Sequence, residues 1–195
     1  WRSSDDALAS AANYLSLSGW QHNQPWGFEV ELPSRDFDYI LADGALKKTL
    51  AQWQALGIKP RNKINLRPLK QQQATLFLPS GHNGPTYLLL DNFRSILKYN
   101  NSSSYALAIG LLANALKGDY SAPVVWPKHE RMLSRTERVE LQTLLNSLGF
   151  DSGNPDGIIG VNSRQAVRDF QQSQGLAADG HPNEELLKSV RKAAR

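Results

Sequence analysis

The sequence predicts an α+β architecture, mainly helical and divided into two domains. Apolar residues recur at helical spacing along most of the chain, and a few short stretches between residues 26 and 90 alternate or run apolar in the manner of strands. Around residue 130 a stretch without period, holding Pro123 and Pro127, gives way to a sharp helix start at Ser134.

Composition bounds the answer. With 195 residues, 41% of them hydrophobic, the chain has room for one moderate domain and one small one. It holds no run of eighteen apolar residues, the length a bilayer-spanning helix needs. The absence of cysteine excludes disulfides, iron–sulfur clusters and thiolate nucleophiles, and is compatible with an exported protein. Neither a signal peptide nor a lipid-attachment cysteine is visible, and the start at Trp1 without an initiator Met predicts that targeting information lies upstream.

The elements follow in order. Ser3 or Ser4 can cap a helix over about 4–18, with Asp5 and Asp6 complementing the dipole of its first turn, Leu8, Ala11, Ala12 and Leu15 on one face, and Gly19 at its end. Trp26, Phe28, Val30 and Leu32 alternate with Gly27, Glu29 and Glu31, so a strand with one apolar and one polar face is expected before Pro33. A helix over 44–56 would bury Leu46, Leu50 and Trp53. Strands over 75–78 and 86–90 flank the turn-rich residues 79–85, as in a hairpin, and helices return over 92–98 and 104–117. Residues 118–133 read as a linker, with Val124, Val125 and Trp126 apolar enough to dock on a domain. Ser134 and Glu137 then form a capping box.

Charge is informative by position. From Ser134 onward eight Lys/Arg balance eight Asp/Glu, so the net +4 comes from the rest of the chain. Lys59, Arg61, Lys63, Arg67 and Lys70 fall within twelve residues with no acid among them. Such a patch suits a polyanion, or is simply a solvated loop face. Nucleic acid is disfavoured because no aromatic residue in the run can stack a base.

The last sixty residues repeat a short pattern. Asp156-Gly157 precedes Val167 by eleven positions and Asp179-Gly180 precedes Val190 by the same eleven; Asn162 and Asn183 are the candidate N-caps of the helices that follow. Leu141, Leu145, Val167 and Phe170 have core spacing, and the two aspartates are expected to brace their own turns, though either can line a groove. The run Leu141-Gln142-x-x-Leu145-x-x-x-Gly149-Phe150, then Asp156-Gly157-x-x-Gly160-x-x-Ser163-x-x-Ala166-Val167-x-x-Phe170-Gln171, then Gly175-Leu176-x-x-Asp179-Gly180, resembles the three-helix peptidoglycan-binding domain, with Ser163 where that family more often has threonine. The resemblance implies that residues 134–195 hold the protein to bacterial cell wall, with Asp156, Gly157, Asp179 and Gly180 as wall-binding candidates.

A second resemblance covers residues 1–117. Trp1-x-x-x-x-Asp6-Ala7-x-Ala9-Ser10-x-Ala12-Asn13-Tyr14-Leu15, followed by Gly19-Trp20, and later Leu97-Lys98-Tyr99-Asn100-Asn101-Ser102-x-x-Tyr105-Ala106, resemble the catalytic domain of B-type lytic murein transglycosylases. This implies a fold made of the C-terminal part of a lysozyme-like transglycosylase domain with a small β region (residues 1–120), a linker (121–133) and the three-helix peptidoglycan-binding domain (134–195). It also implies the reaction: non-hydrolytic cleavage between N-acetylmuramic acid and N-acetylglucosamine, in which one glutamic acid protonates the leaving oxygen and the sugar's own C6 hydroxyl closes a 1,6-anhydro ring. Tyr14, Tyr99, Asn100 and Tyr105 align with cleft-lining positions. The family's catalytic glutamate aligns upstream of Trp1, so no catalytic residue is expected on this chain, and a companion N-terminal fragment is one way to supply it. Glu29 and Glu31, the only glutamates before Glu130, are poor substitutes on a polar strand face.

No cofactor is implied, and no metal: His22, His82, His129 and His181 lack paired ligand spacing. Ser80-Gly81-His82-Asn83-Gly84 reads as a turn and not as part of a catalytic triad. The expected partners are peptidoglycan glycan strands and stem peptides, with no nucleic acid and no transmembrane segment. The expected place is the periplasm, with an upstream outer-membrane lipid anchor left open. A non-catalytic wall-binding or scaffold protein is the competing class, and a segment of a peptidoglycan amidase or peptidase a third.

Overall fold

The computed structural model describes the chain except for residues 1–2, 34–36, 43, 45, 62–63, 120–125 and 129. Part of the expected linker, with Val124 and Val125, therefore lies outside the described residues, as does Lys63 of the basic run. The contacts divide the chain into two compact units, the first formed by Trp1–Arg35, Gly44–Pro79 and Thr86–Val124, the second by Asp36–Asp43, Ser80–Pro85 and Val125–Arg195. The described residues hold seven α-helices and one antiparallel sheet, the α+β, mainly α architecture that the sequence predicts. No helix among them is long and apolar enough to cross a membrane.

In the first unit, helix α1 spans Ser4–Leu17, capped by the Ser3 hydroxyl, which accepts from the Asp6 amide. None of its side chains is fully buried, and Leu8 is 69% exposed, so the expected apolar face is only half used. Five strands follow: β1 (Gly27–Glu31), β2 (Lys48–Thr49), β3 (Lys59–Pro60), β4 (Gln73–Phe77) and β5 (Thr86–Leu89), in the order β2-β4-β5-β1-β3. Helix α2 is only Leu50–Ala55, shorter than the helix expected over 44–56. The cause is local: Lys48 and Thr49 pair with Ala74 and Gln73 of β4, and Thr49 and Gln52 form a capping box that fixes the helix start.

Strand β1 corrects a second expectation. It is paired along both edges, by β5 and β3, and its residues 27–30 are all buried, so Glu29, expected on a polar face, is only 4% exposed. The Arg61 guanidinium sits 3.3 Å from its carboxylate, while Glu31 remains exposed. Burial raises the Glu29 pKa, Arg61 opposes that shift, and Glu31 adds to it. Tyr87 faces Glu29 across the ladder, and its hydroxyl is buried without a hydrogen-bond partner among the described residues. Burial, then the Glu29 charge, pushes the phenol up to about 12.

Helices α3 (Asp91–Tyr99) and α4 (Ser103–Leu116) pack on this sheet around Trp26, Tyr87, Leu89, Phe93, Ile96, Ala106 and Leu107. Gly110 makes the fit: a Cβ there would lie 2.5 Å from Trp26 Cε2, so only a bare Cα lets α4 rest on the indole. The same indole donates its N–H to Asn114 Oδ1 at 3.2 Å.

The second unit contains α5 (Arg135–Ser147), α6 (Val161–Ser173) and α7 (Glu184–Ala193). Their shared core is Leu141, Leu145, Ala166, Val167, Phe170, Leu186, Leu187 and Val190, and Leu133, just before α5, joins it. The Ser134–Glu137 capping box is formed as the sequence predicts. Asn183 caps α7, its side chain accepting from the Leu186 amide at 2.8 Å. Asn162 does not cap α6, which begins at Val161 with Gly160 at the N-cap, so Asn162 stands inside the first turn.

The repeat has a physical basis in two buried glutamines. Gln142 on α5 accepts the Gly157 amide at 2.8 Å, and Gln171 on α6 accepts the Gly180 amide at 2.9 Å. Within each turn the aspartate accepts an amide two residues on, Ile158 to Asp156 at 2.7 Å and His181 to Asp179 at 2.8 Å. Gln142 also donates to the Ile158 carbonyl and to Ser163 Oγ. Ser163 thereby serves the buried network as well as the helix.

Asp179 does more than brace its turn. Its carboxylate accepts from the His82 amide at 2.9 Å, lies 2.6 Å from His82 Nδ1, and accepts from Gln171 Nε2 at 2.8 Å. Burial alone would raise its pKa, but these hydrogen bonds and that of the His181 amide win and lower it to about 2. The Asp179 hydrogen bond raises His82, against the opposing effect of its burial, while burial lowers His181. With Arg168 Nη2 donating to the Ala42 carbonyl at 3.0 Å, these contacts explain why residues 80–85 and 36–43 belong to the second unit.

Two outcomes are expected. Gln142→Leu keeps the volume but strips the Gly157 amide, Ser163 and two carbonyls of a partner, costing about 2–4 kcal/mol in urea denaturation of the second unit. A loss within the error of the fit would mean that the glutamine does not hold the turn. His82 has a raised folded pKa, so its stabilising share is complete below 6.5 and disappears as pH rises through the raised value. Unfolding midpoints from pH 6 to 9 should fall more steeply for the unaltered protein than for His82→Gln; parallel curves would contradict the assignment. His181 acts in the opposite sense, its share being lost as pH falls below 6.5.

Candidate functional site

The first unit brings together three tyrosines drawn from distant parts of the sequence. Tyr14 comes from α1, Tyr99 is the last residue of α3, and Tyr105 stands in the first turn of α4. The Tyr14 and Tyr99 rings meet edge to face with centroids 5.4 Å apart; Tyr99 and Tyr105 lie nearly parallel, 15° between planes and 6.3 Å apart. Tyr99 is 55% exposed and Tyr14 43% exposed, so the group presents ring surface to solvent instead of filling the core.

Short-range chemistry holds this arrangement. Helix α3 stops because Asn100 leaves the helical region (φ −143°, ψ 114°), and Ser102 starts α4 by accepting the Tyr105 amide. The three residues between the helices, Asn100 to Ser102, therefore set the Tyr99–Tyr105 stack. Asn100 is exposed at this corner, its amide nitrogen donating to the Ile96 carbonyl and its carbonyl accepting from Ser102.

Helix α1 is tied in by polar contacts across eighty residues of sequence. The Tyr14 hydroxyl donates to the Lys98 carbonyl at 2.9 Å, and Lys98 Nζ donates back to the Ser18 carbonyl at 2.8 Å. Buried Asn92 donates to the carbonyls of Gln21 and Gln24 and accepts the Gln21 amide, fixing the loop after α1 to the start of α3. Asn92 and Ser95, whose hydroxyl also donates to the Ser18 carbonyl at 3.3 Å, are supporting residues that the sequence did not single out, and Lys98 stood in the resemblance motif without an assigned role. Asn92 carries a faint signal as an amide at a helix start, but its partners lie about seventy positions away.

A ring group of this kind can stack on the apolar faces of a pyranose, and an amide beside it can hydrogen-bond a hydroxyl or acetamido group. The four residues singled out by resemblance, Tyr14, Tyr99, Asn100 and Tyr105, are thus neighbours in space.

The wall-binding candidates are placed differently. Asp156 is exposed and bonded to its own turn. Asp179 is 6% exposed with its oxygens engaged internally, so that turn offers solvent its backbone more than its carboxylate. Gly157 and Gly180 have φ of +77° and +69°, and a Cβ on Gly157 would come within 2.8 Å of Arg135 Cγ. Both glycines are demanded by the turns themselves.

The fold is that of a lysozyme-like transglycosylase region followed by a peptidoglycan-binding module. Residues 1–114 match the Transglycosylase SLT domain family, to which the chain belongs, and residues 134–190 match the peptidoglycan binding domain family. SltB3 from Pseudomonas aeruginosa, solved with NAG-anhNAM-pentapeptide and with NAG-NAM-pentapeptide, is 51% identical, with a TM-score of 0.91 over 98% of this chain and 51% of its own. Membrane-bound lytic murein transglycosylase B of Escherichia coli is 30% identical over 112 residues, 57% of this chain and 29% of its own length. The chain thus spans about half of the solved relative and under a third of the curated one.

Tyr14→Phe is expected to remove the bond to Lys98 while keeping the ring pair, costing about 0.5–1.5 kcal/mol by thermal unfolding because the Lys98 carbonyl left behind lies at the surface, where water can replace the hydroxyl. An unchanged midpoint would show that α1 is held by its other contacts.

Proposed function

We propose that the protein is a lytic transglycosylase of peptidoglycan, cutting the β-1,4 bond between N-acetylmuramic acid and N-acetylglucosamine and leaving 1,6-anhydromuramoyl ends. The observation that carries this reading is the 51% identity to SltB3 along 98% of the chain, SltB3 having been solved with both an anhydromuramoyl and a muramoyl pentapeptide ligand. Tyr14, Tyr99, Asn100 and Tyr105 are then substrate-binding residues, with Tyr99, the most exposed ring, stacking on a sugar. The C-terminal unit holds the protein to the wall through the surface around its two Asp-Gly turns, in the periplasm.

The reaction consumes no water. A carboxylic acid protonates the glycosidic oxygen as the C1–O bond breaks; its conjugate base then takes the C6 hydroxyl proton as O6 bonds to C1. Glu29 is unsuited to this role because it is buried in the sheet against Arg61, and exposed Glu31 lacks the apolar surroundings that raise a catalytic acid's pKa. We therefore assign the acid to neither. The same fact favours, for this chain alone, the second reading of a wall binder without cleavage.

Incubation with intact sacculi, followed by sedimentation and mass spectrometry of the supernatant, tests both readings. Co-sedimentation without soluble product is expected for this chain, and anhydromuramoyl fragments for a longer chain that includes the acid. Amide or peptide cleavage products would overturn the assignment. Tyr99→Ala should weaken binding of a peptide-free glycan oligomer about tenfold by calorimetry; unchanged affinity would remove the tyrosines from the cleft.

A further inference from the structure

The basic run between Lys59 and Lys70 resolves into two parts. Arg61 is engaged by Glu29 at 3.3 Å and Glu31 at 3.7 Å. Arg67 and Lys70 have no carboxylate within ion-pair distance among the described residues, and both are exposed. They line one concavity of about 470 Å³, which no acidic residue lines. That volume is within the range of ~300–1,000 Å³ typical of small-ligand clefts.

The lining is divided by chemistry. Leu66, 7% exposed, lies with half-buried Pro60 and Ile64, while exposed Gln54 and Asn65 add amides beside the two cations. The backbone under the cations is fixed: Asn65 Oδ1 accepts the Arg67 amide at 3.0 Å, Leu69 is buried beneath, and the Lys70 carbonyl accepts from Ala51 of α2 at 3.1 Å. Two unneutralised cations of unlike geometry, amide donors and small apolar surfaces suit an extended peptide with free carboxylates and short side chains. Nucleic acid fits poorly, since no aromatic ring lines the concavity.

We propose that this concavity is a binding site for a short anionic peptide, the stem peptide of the wall, with Arg67 and Lys70 pairing its carboxylates. The assignment rests on the wall-directed reading above and deepens it by giving the chain a peptide subsite apart from the tyrosines.

The test is calorimetric titration of the protein with three ligands: a disaccharide pentapeptide, the same compound with its carboxylates amidated, and the disaccharide without peptide. Arg67→Gln with Lys70→Gln should weaken the pentapeptide ligand about tenfold and leave the peptide-free disaccharide unchanged, whereas the control pair Lys47→Gln with Lys117→Gln, exposed but outside the concavity, should alter neither. Amidation should reproduce the loss in the unaltered protein, and this arm decides the question without any substitution. Equal affinities for the amidated and free ligands, a loss shared by the control pair, or a loss confined to a phosphodiester wall polymer used as competitor would overturn the proposal. If the unaltered protein holds sacculi and disaccharide but shows no peptide effect, only the peptide subsite falls; if it holds neither, the wall-directed reading falls and the subsite with it.

Discussion

The indole of Trp26 resting on the bare Cα of Gly110 is the constraint on which the first unit is built. Trp26 immediately precedes strand β1, Gly110 sits mid-way along α4, and the rings of Tyr87 and Phe93 close around the indole at centroid distances of 6.1 and 6.0 Å. Because α4 is seated there, Ser102 and Tyr105 at its N-terminal end are placed, and because the turn before Ser102 is two residues long, Tyr99 follows. A methyl group at residue 110 would lift the helix and carry the tyrosine pair with it. The surface group is thus as precise as the core beneath it.

The second unit relies on polar contacts where the first relies on shape. Each Asp-Gly turn runs with a glycine at positive φ and would leave an amide without a partner, and each time a glutamine from the preceding helix supplies the acceptor. The two glutamines are 1% and 6% exposed, so the turns are locked from inside and their outer surfaces stay free of that duty. Arg131 and Arg191 add forked pairs to Glu137 and Glu140 at the surface, where water screens most of their worth.

Helix existence and the β4–β5 hairpin were legible in the sequence because they follow from period, caps and turn residues: Ser3, Ser134 and Asn183 all cap as their positions imply. What misled was context. Alternation at Trp26–Leu32 suggested one wet face, but Glu29 is buried beside Tyr87 of β5 and the Arg61 guanidinium. Apolar periodicity suggested a helix from residue 44, yet pairing of Lys48 and Thr49 with β4 takes the first turn away. The site residues were found by resemblance and not by physics, since helical spacing alone reads Tyr14 and Tyr105 equally well as core. The roles of Asn92, His82 and the buried glutamines were not legible because their partners are set by tertiary structure, eight to ninety-seven positions away.

The reach of Asp179 back to His82 also orders events in time. Ninety-seven residues separate the two, so the 80–85 turn leaves the ribosome long before the carboxylate that will hold it exists. Strands β4 and β5 can pair at once, their register being set by neighbours on either side of that turn. The turn itself is a latecomer, settling only when the final helices condense. Closing so long a loop is slow compared with making a helix, so the second unit should mature last during synthesis, with its N-terminal pieces waiting in place.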